Sequence, residues 1–424
     1  MTAGPASRQP LPEEAFAVAL ARLPAMGWRR MGALIAGRSG QEAWEVVKAG
    51  RVLEVVPPIG PASPSRVLDR ASDSWRARAC GLDVAASWSR TCALGITVRA
   101  RGRAGYPEVL DEDPEPPAVV FHLGAVPSPG HRRVAVVGTR HCSYEGREAA
   151  RSIGYGLAEA GVTVVSGLAL GIDGAAHQGA LAAGADGEGV GPPFGVVASG
   201  LDVPYPARHA GLWRQVAVAG GLLSEYPPGS PATRMRFPAR NRLIAAFAEI
   251  VVVVESRVAG GSRHTVEAAI ARGRTVMAVP GSIRNPAAAG TNRLIAEGCA
   301  PVCDVADILV ALDLERAGRP EPAPRPDRRA GAAAQPGRRP VSTSGPAGIT
   351  GEGVGAPSPA RRTRPDLSRA EQLVLDAVGG TPASLDTLLL RTGAGPLALT
   401  AALERLRAAE LVVEDAGWWS LRPR

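Results

Sequence analysis

From residue 134 onward one pattern recurs: a short Val-rich apolar run, a segment of helical periodicity, then another apolar run. The runs are VAVVG (134–138), VTVVS (162–166), FGVVAS (194–199), EIVVVVE (249–255) and TVMAVP (275–280). They are continuous rather than alternating, so both faces of each strand must be covered. After the first run, Ala150, Ile153, Leu157 and Ala160 recur on one helical face before Gly161 ends the helix; further helical segments occupy 173–183, 239–247 and 264–272. The pattern predicts an α/β fold: an extended Rossmann-like parallel sheet with helices on both faces. GADGEGVGPP (184–193) reads as a flexible surface insertion before the third strand.

At 424 residues the chain is too long for one ordinary core. Within residues 1–100 a helical pattern begins at PEEAFAVALARL (12–23), followed by LPAMGWRRMGALIAG (23–37), whose rhythm predicts two short helices joined by a tight turn in a small helical domain. Such a hairpin can present backbone N–H groups to a phosphate or serve packing alone. Residues 101–314 form the α/β domain. Residues 315–365 are rich in Pro, Ala, Gly and Arg without periodicity and predict a disordered linker. Residues 366–424 carry helical segments at Arg369–Val378, Ser384–Arg391 and Pro396–Ala409, then a hairpin at 411–421, a winged-helix-like pattern.

The net charge of +8 invites a nucleic-acid reading, but its distribution weakens it. The linker holds ten arginines against four acidic residues, a net of +6, and residues 366–424 hold six basic against eight acidic residues, a net of −2. No stretch approaches the roughly 20 apolar residues of a membrane helix, and the N-terminus lacks the basic and apolar segments of a secretory signal, so a cytoplasmic protein is expected. Cys80, Cys92, Cys142, Cys299 and Cys303 are an odd, scattered set. Buried, reduced thiols are expected rather than disulfides or a metal site, because Cys299 and Cys303 have no second pair and no nearby histidine.

The loop after the first strand, GTRHCSYEG (138–146), lacks the glycines that would admit a pyrophosphate, and the second strand ends in Ser166 where an acid would grip a ribose. No NAD, FAD or other cofactor is expected. Ser166, Asp173 and His177 could be imagined as a hydrolytic set, yet no nucleophile elbow is present; the plainer reading places Asp173 near a helix start and His177 hydrogen-bonded in the packing. The most informative stretch is LLSEYPPGSPATRMRFPARNRLIAAF (222–247), which gathers Arg234, Arg236, Arg240 and Arg242 around Phe237 and Asn241. Guanidinium groups pair with phosphates and an aromatic ring stacks on an unpaired base. A solvated basic loop with a core phenylalanine would read the same way.

Taken together, GYPEVL (105–110), VGTR (137–140), SGLALGID with AAH (166–177), GLDVPYP (200–206), LLSEYPPG (222–229), FPARNRLIA (237–245), VVVVES (251–256), VPGS (279–282) and GTNRLI (290–295) resemble, in order, the DNA-processing protein A (DprA, or Smf) family. The resemblance implies a non-catalytic binder of single-stranded DNA that protects incoming strands in natural transformation, helps load the recombinase RecA and works as a homodimer. It also implies that Arg140, Ser166, Gly167, Phe237, Arg240, Asn241 and Arg242 line the DNA groove, with the arginines on phosphates. Two segments depart from the family. GGSRHTVEAA (260–269) stands where many members carry a segment like SGSLITA, and the net-acidic segment 366–424 suits a protein-contact or dimer role better than duplex recognition. Two other functions compete: a nucleoside-monophosphate phosphoribohydrolase, with Glu267 of GGSRHTVE (260–267) as acid or base, and an adaptor that recruits partners through residues 315–424.

Overall fold

In the computed structural model, alternate residues of the Val-rich strands face opposite sides. Val134, Val136, Val164, Ile250, Val252 and Met277 join one buried cluster, and Ala135, Val137, Val165, Val251 and Val253 join another. A strand buried on both faces cannot alternate apolar and polar residues, which is why the runs read as unbroken. The structure describes residues 10–56, 65–128, 130–187, 189–258 and 260–317. Of the C-terminal part it describes 368–378, 383–384, 388, 392, 394, 396–409, 411–415 and 418–421. Two compact units emerge, residues 1–319 and 320–424.

The first unit holds a nine-stranded sheet. Its strands are β1 (Thr97–Ala100), β2 (Val119–Gly124), β3 (Arg133–Val137), β4 (Thr163–Ser166), β5 (Pro193–Val197), β6 (Gly221–Ser224), β7 (Ile250–Val253), β8 (Thr275–Ala278) and β9 (Ala300–Pro301). Their order is β1-β2-β6-β5-β4-β3-β7-β8-β9. From β6 to β9 every pairing is parallel, while β2 pairs antiparallel with both β1 and β6. The sheet is thus mostly parallel. The sequence pattern did not separate its antiparallel edge or β6, which overlaps the start of LLSEYPPG.

Helices α1 (Glu13–Ala21), α2 (Trp28–Ile35), α3 (Gly40–Lys48), α4 (Ser65–Cys80) and α5 (Val84–Ala93) precede the sheet, and α6 (Glu108–Asp111) lies between β1 and β2. Only one helix falls within 23–37, where two were expected; residues 23–27 form the turn, with Ala25 at φ 53°. The remaining helices of this unit are α7 (Tyr144–Glu159), α8 (Ile172–Asp186), α9 (Ala210–Ala219), α10 (Arg236–Phe247), α11 (Arg263–Ile270), α12 (Ala289–Ala296) and α13 (Val305–Ala317). Helices α7 and α8 pack on one face of the sheet, and α10 and α11 on the other. Helix α8 runs to Asp186 and absorbs the start of the expected insertion, because Ala175, Ala176, Ala180 and Ala183 supply a buried stripe. A third cluster joins Leu20, Leu34, Trp44 and Trp75 of the N-terminal helices to Val98, Phe121, Leu222 and Trp213, so the helical layer and the β1-β2-β6 end share one core. The Trp75 indole N–H donates to the Pro24 carbonyl at 2.7 Å.

In the second unit, helices Arg369–Val378 and Pro396–Ala408 pack with a three-stranded antiparallel sheet of Ala383–Ser384, Val412–Asp415 and Trp418–Leu421. Val374, Leu399, Leu403 and Trp419 form its core, and Arg405 bonds Glu371 at 2.6 Å between the helices. Of the expected linker, 318–365 lie outside the described residues, as does most of the helix expected at Ser384–Arg391; Glu315–Ala317 instead complete α13. The cysteines depart from expectation: all five are free, but Cys80, Cys92 and Cys303 are exposed. They sit on outer helix faces and in the turn before α13 rather than in a core.

Candidate nucleic-acid interface

A chain that runs β3, β4, β5 and β6 to one side and then returns with β7 to the other leaves a switch point between β3 and β7. In open parallel sheets, ligands bind at the carboxyl ends of the strands beside such a point. An open cleft of ≈ 470 Å³ lies there. Its walls come from the loop after β3 (Gly138–His141), from Ala169 after β4, from Tyr205, and from the starts of α10 and α11. A smaller hollow continues it toward the ends of β4 and β5, under Tyr205 and Phe237.

Helical register decides which side chains of FPARNRLI reach this space. Once α10 begins at Arg236, residues at i, i+3, i+4 and i+7 share a face. Phe237, Arg240, Asn241 and Ile244 therefore line the cleft together. Arg242, two residues beyond Arg240 and roughly 200° around a helix of 3.6 residues per turn, points elsewhere. Its guanidinium pairs with Glu225 at 2.5 Å, donates to the Glu115 carbonyl at 2.5 Å, and lies over the Trp28 ring at 5.4 Å. Burial pushes the Glu225 carboxyl upward, with Arg242 opposing. Arg242 thus ties α10 to the N-terminal layer.

Arg240 faces the cleft from beneath its floor. It is 4% exposed, and its guanidinium donates to the carbonyls of Gly167 at 2.7 Å and Val196 at 2.5 Å, with Nε bonding Asn241 Oδ1 at 3.1 Å. Burial lowers its pKa to about 10 despite the opposing pull of Asp173. A Cβ at Gly167 would lie 2.2 Å from that guanidinium, so a larger residue there would have to displace Arg240 from its carbonyl partners. Gly171, at φ 79°, brings the start of α8 against the Thr139 and Arg140 carbonyls, which a Cβ would strike at 2.4 and 2.8 Å. Between the two glycines Leu168 holds φ 55°, its side chain buried in the shared core and its carbonyl bonded to His209 at 3.0 Å.

At the mouth the groups are accessible. The exposed Arg140 guanidinium stacks on Phe237 with 4.5 Å to the ring centroid, and Tyr205, 43% exposed, lies 5.4 Å from Phe237 at an interplanar angle of 46°. Exposed Arg234 lines the same cleft. Asn241 Nδ2 reaches the Gly261 carbonyl at 3.4 Å, linking α10 to the GGSRHT segment, whose Gly261, Ser262, His264 and Thr265 form the far wall. Tyr205 is the aromatic that sequence reasoning missed; its signal was GLDVPYP, quoted as a motif but given no role.

The hydrolytic set does not assemble. The Ser166 hydroxyl donates to the Val136 carbonyl at 2.6 Å and is fully buried. Asp173 accepts from the Gly167 N–H at 3.1 Å, and burial raises its pKa. His177 is also fully buried, and desolvation drives its pKa down to about 3. Neither ring nitrogen has a hydrogen bond of normal geometry among the described residues, although the Ser166 backbone is close enough to favour the proton weakly. The histidine is in the packing as expected, with the Ser166 backbone as its nearest partner. Glu267 lies on the exposed side of α11, paired with Arg263 at 2.8 Å and beside His264. No group of three or more metal-ligating side chains occurs among the described residues, and no helix among them is long and apolar enough to cross a membrane.

The family model for DNA recombination-mediator protein A matches residues 97–313. A putative DNA processing protein DprA of Mycobacterium tuberculosis is 44% identical over 195 residues, which cover 46% of this chain and 49% of that protein. The chain therefore spans about half the length of that relative. The protein Smf of Synechocystis is 32% identical over 321 residues, covering 74% of this chain and 76% of that one. Among solved structures, DprA from Streptococcus pneumoniae superposes with a TM-score of 0.58 at 28% identity, covering 71% of this chain and 98% of that one. With a family match across the sheet and a relative aligned over most of both chains, this chain belongs to the DNA recombination-mediator protein A (DprA/Smf) family.

Proposed function

We propose that the chain binds single-stranded DNA in the cleft at the β3–β7 switch point, without chemical turnover. The observation that carries this reading is the Arg140–Phe237–Tyr205 arrangement: a guanidinium and two aromatic rings, stacked and accessible, at the carboxyl end of a parallel sheet. Rings stack on unpaired bases of any sequence, and a guanidinium meets phosphate. Arg140 and Arg234 take phosphates, Phe237 and Tyr205 take bases, and Asn241 offers an amide at the rim. Arg240 and Gly167 shape the floor, while Ser166 and Arg242 hold the surrounding structure. The start of α11 on the far wall adds the favourable electrostatics of a helix N-terminus for an anion. Absence of turnover is supported by Ser166 and His177 being fully buried in the packing, by the Asp173 carboxylate at the cleft floor being held by the Gly167 N–H, and by Glu267 being paired with Arg263 on the exposed side of α11. From the family resemblance we extend the reading to a cytoplasmic homodimer that delivers its strand to RecA during DNA processing and uptake.

A salt-titrated comparison of single- and double-stranded DNA of equal length tests this. Single strands are expected to bind more tightly, with log K falling by about 0.7 per phosphate neutralised against log salt. Replacing both Arg140 and Arg234 with Ala should lower that slope by about 1.4. A preference for duplex, or an unchanged slope in the double variant, overturns the assignment.

A further inference from the structure

Two motifs, VPGS (279–282) and GTNRLI (290–295), supply no side chain to the cleft. The first opens the loop after β8 and the second lies in α12, which closes it. Asn292 closes the base of this loop by accepting from the Gly281 N–H at 3.0 Å and donating to the Gly281 carbonyl at 2.9 Å. Ser282 accepts from the Arg284 and Asn285 N–H groups, and Gly290 N–H donates to the Ser256 carbonyl in the loop after β7. Glu255 then joins three loops. Its carboxylate accepts from the Ser143 N–H and hydroxyl after β3, at 2.8 and 2.6 Å, and from the Asn285 amide after β8, at 2.9 Å.

This framework holds four residues outward. Ile283 is 96% exposed and Val258 is 49% exposed, each next to an exposed arginine, Arg284 and Arg257. Among the described residues neither arginine side chain makes a hydrogen bond, ion pair or ring contact. The sequence holds no Asp or Glu from 256 to 262 or from 279 to 293. The nearby Glu255 carboxylate is engaged by Ser143 and Asn285 and forms no ion pair with either arginine, and a large apolar side chain held almost wholly in water is costly for a surface with no partner. The repeated pairing, once on the loop after β7 and once on the loop after β8, matches a chain of alternating charge and apolar ring.

We infer that this ledge is a second segment of the nucleic-acid path: a single strand leaving the cleft past Arg140 crosses the ends of β7 and β8, with Arg257 and Arg284 on its phosphates and Val258 and Ile283 against its bases. Adjacent strands lie about 4.8 Å apart, so the ledge extends the track about 10 Å beyond β3. The inference rests on the single-strand reading of the cleft.

The full chain carrying Arg257→Ala and Arg284→Ala is compared with the parent on two homopolymeric DNA strands, of about 5 and about 20 nucleotides, lengths that bracket the roughly 4–16 nucleotides of a typical single-strand site. On the long strand the double variant is expected to lose about 1.4 from the salt slope, while the short strand binds as before. An unchanged long-strand slope overturns the ledge, and so does an equal loss on both lengths, which would place the two arginines inside the cleft. Arg140→Ala, run in parallel, is expected to weaken both lengths. If it weakens neither, the cleft reading fails, whatever the ledge variant does. Thermal melts of each variant confirm that these exposed substitutions leave the fold intact.

Discussion

Phe237 is the side chain on which binding and structure separate most cleanly, since it is half-exposed and its partners are at the cleft mouth. Phe237→Ala is expected to weaken single-strand binding by about 1–3 kcal/mol, the usual worth of a base-stacking ring, with little change in the urea midpoint; fluorescence anisotropy and denaturation check both. His177 makes a different prediction. Its folded pKa of about 3 lies below its ordinary value of 6.5, so the unfolded chain takes up the proton first as pH falls. Stability contributed by the neutral ring is present above about 6.5 and is lost on acidification toward 3, with a slope of up to about 1.4 kcal/mol per pH unit. Urea midpoints measured between about pH 7 and pH 5 should fall more steeply in the parent than in His177→Leu. The sequence disclosed the helical face shared by Asp173 and His177 but not the depth of burial, because Ala-rich neighbours on α8 read the same whether one or both helix faces are covered.

Helix α10 shows how an element can sort one basic motif into two jobs. Four arginines in nine residues read as a single cationic cluster, yet helix periodicity sends Arg240 under the cleft floor and Arg242 to Glu225. Starting the helix at Arg236 rather than 239, and counting round it, would have separated them from sequence alone. Arg242→Ala leaves Glu225 buried without its cation and is expected to cost about 3–5 kcal/mol of stability, measured by denaturant unfolding, while the salt slope of single-strand binding stays at the parent value. A phosphate ligand would do the reverse. The strands were legible as elements because covered parallel strands need continuous apolar runs. Their ends were less so: apart from β4, which stops at Ser166 with its run, the expected runs outlast the observed strands by one or two residues where the backbone bends into the cleft loops, as Ala198–Ser199, Val254–Glu255 and Val279–Pro280 show.

At the scale of the whole molecule, the parallel sheet and its switch point followed from order and periodicity, but its antiparallel edge did not. β1 and β2 depend on partners far away in sequence, and their burial is supplied by the N-terminal helices. The compact first unit holds the cleft, so a chain ending at Arg319 is expected to retain single-strand binding with the parent salt slope. Loss of binding on removing 320–424 would favour the adaptor reading.

The core shared by Leu20, Trp44 and Trp75 with Phe121 and Trp213 bears on how this unit comes apart. A tethered helical module would open by itself and leave the sheet protected. Here, peeling the helices away would strip the β2 face of its cover, so the two should open in one cooperative step. Native-state hydrogen exchange is expected to give the amides of α1, α3 and β2 a common opening free energy, making the N-terminal layer part of the sheet's own unfolding unit.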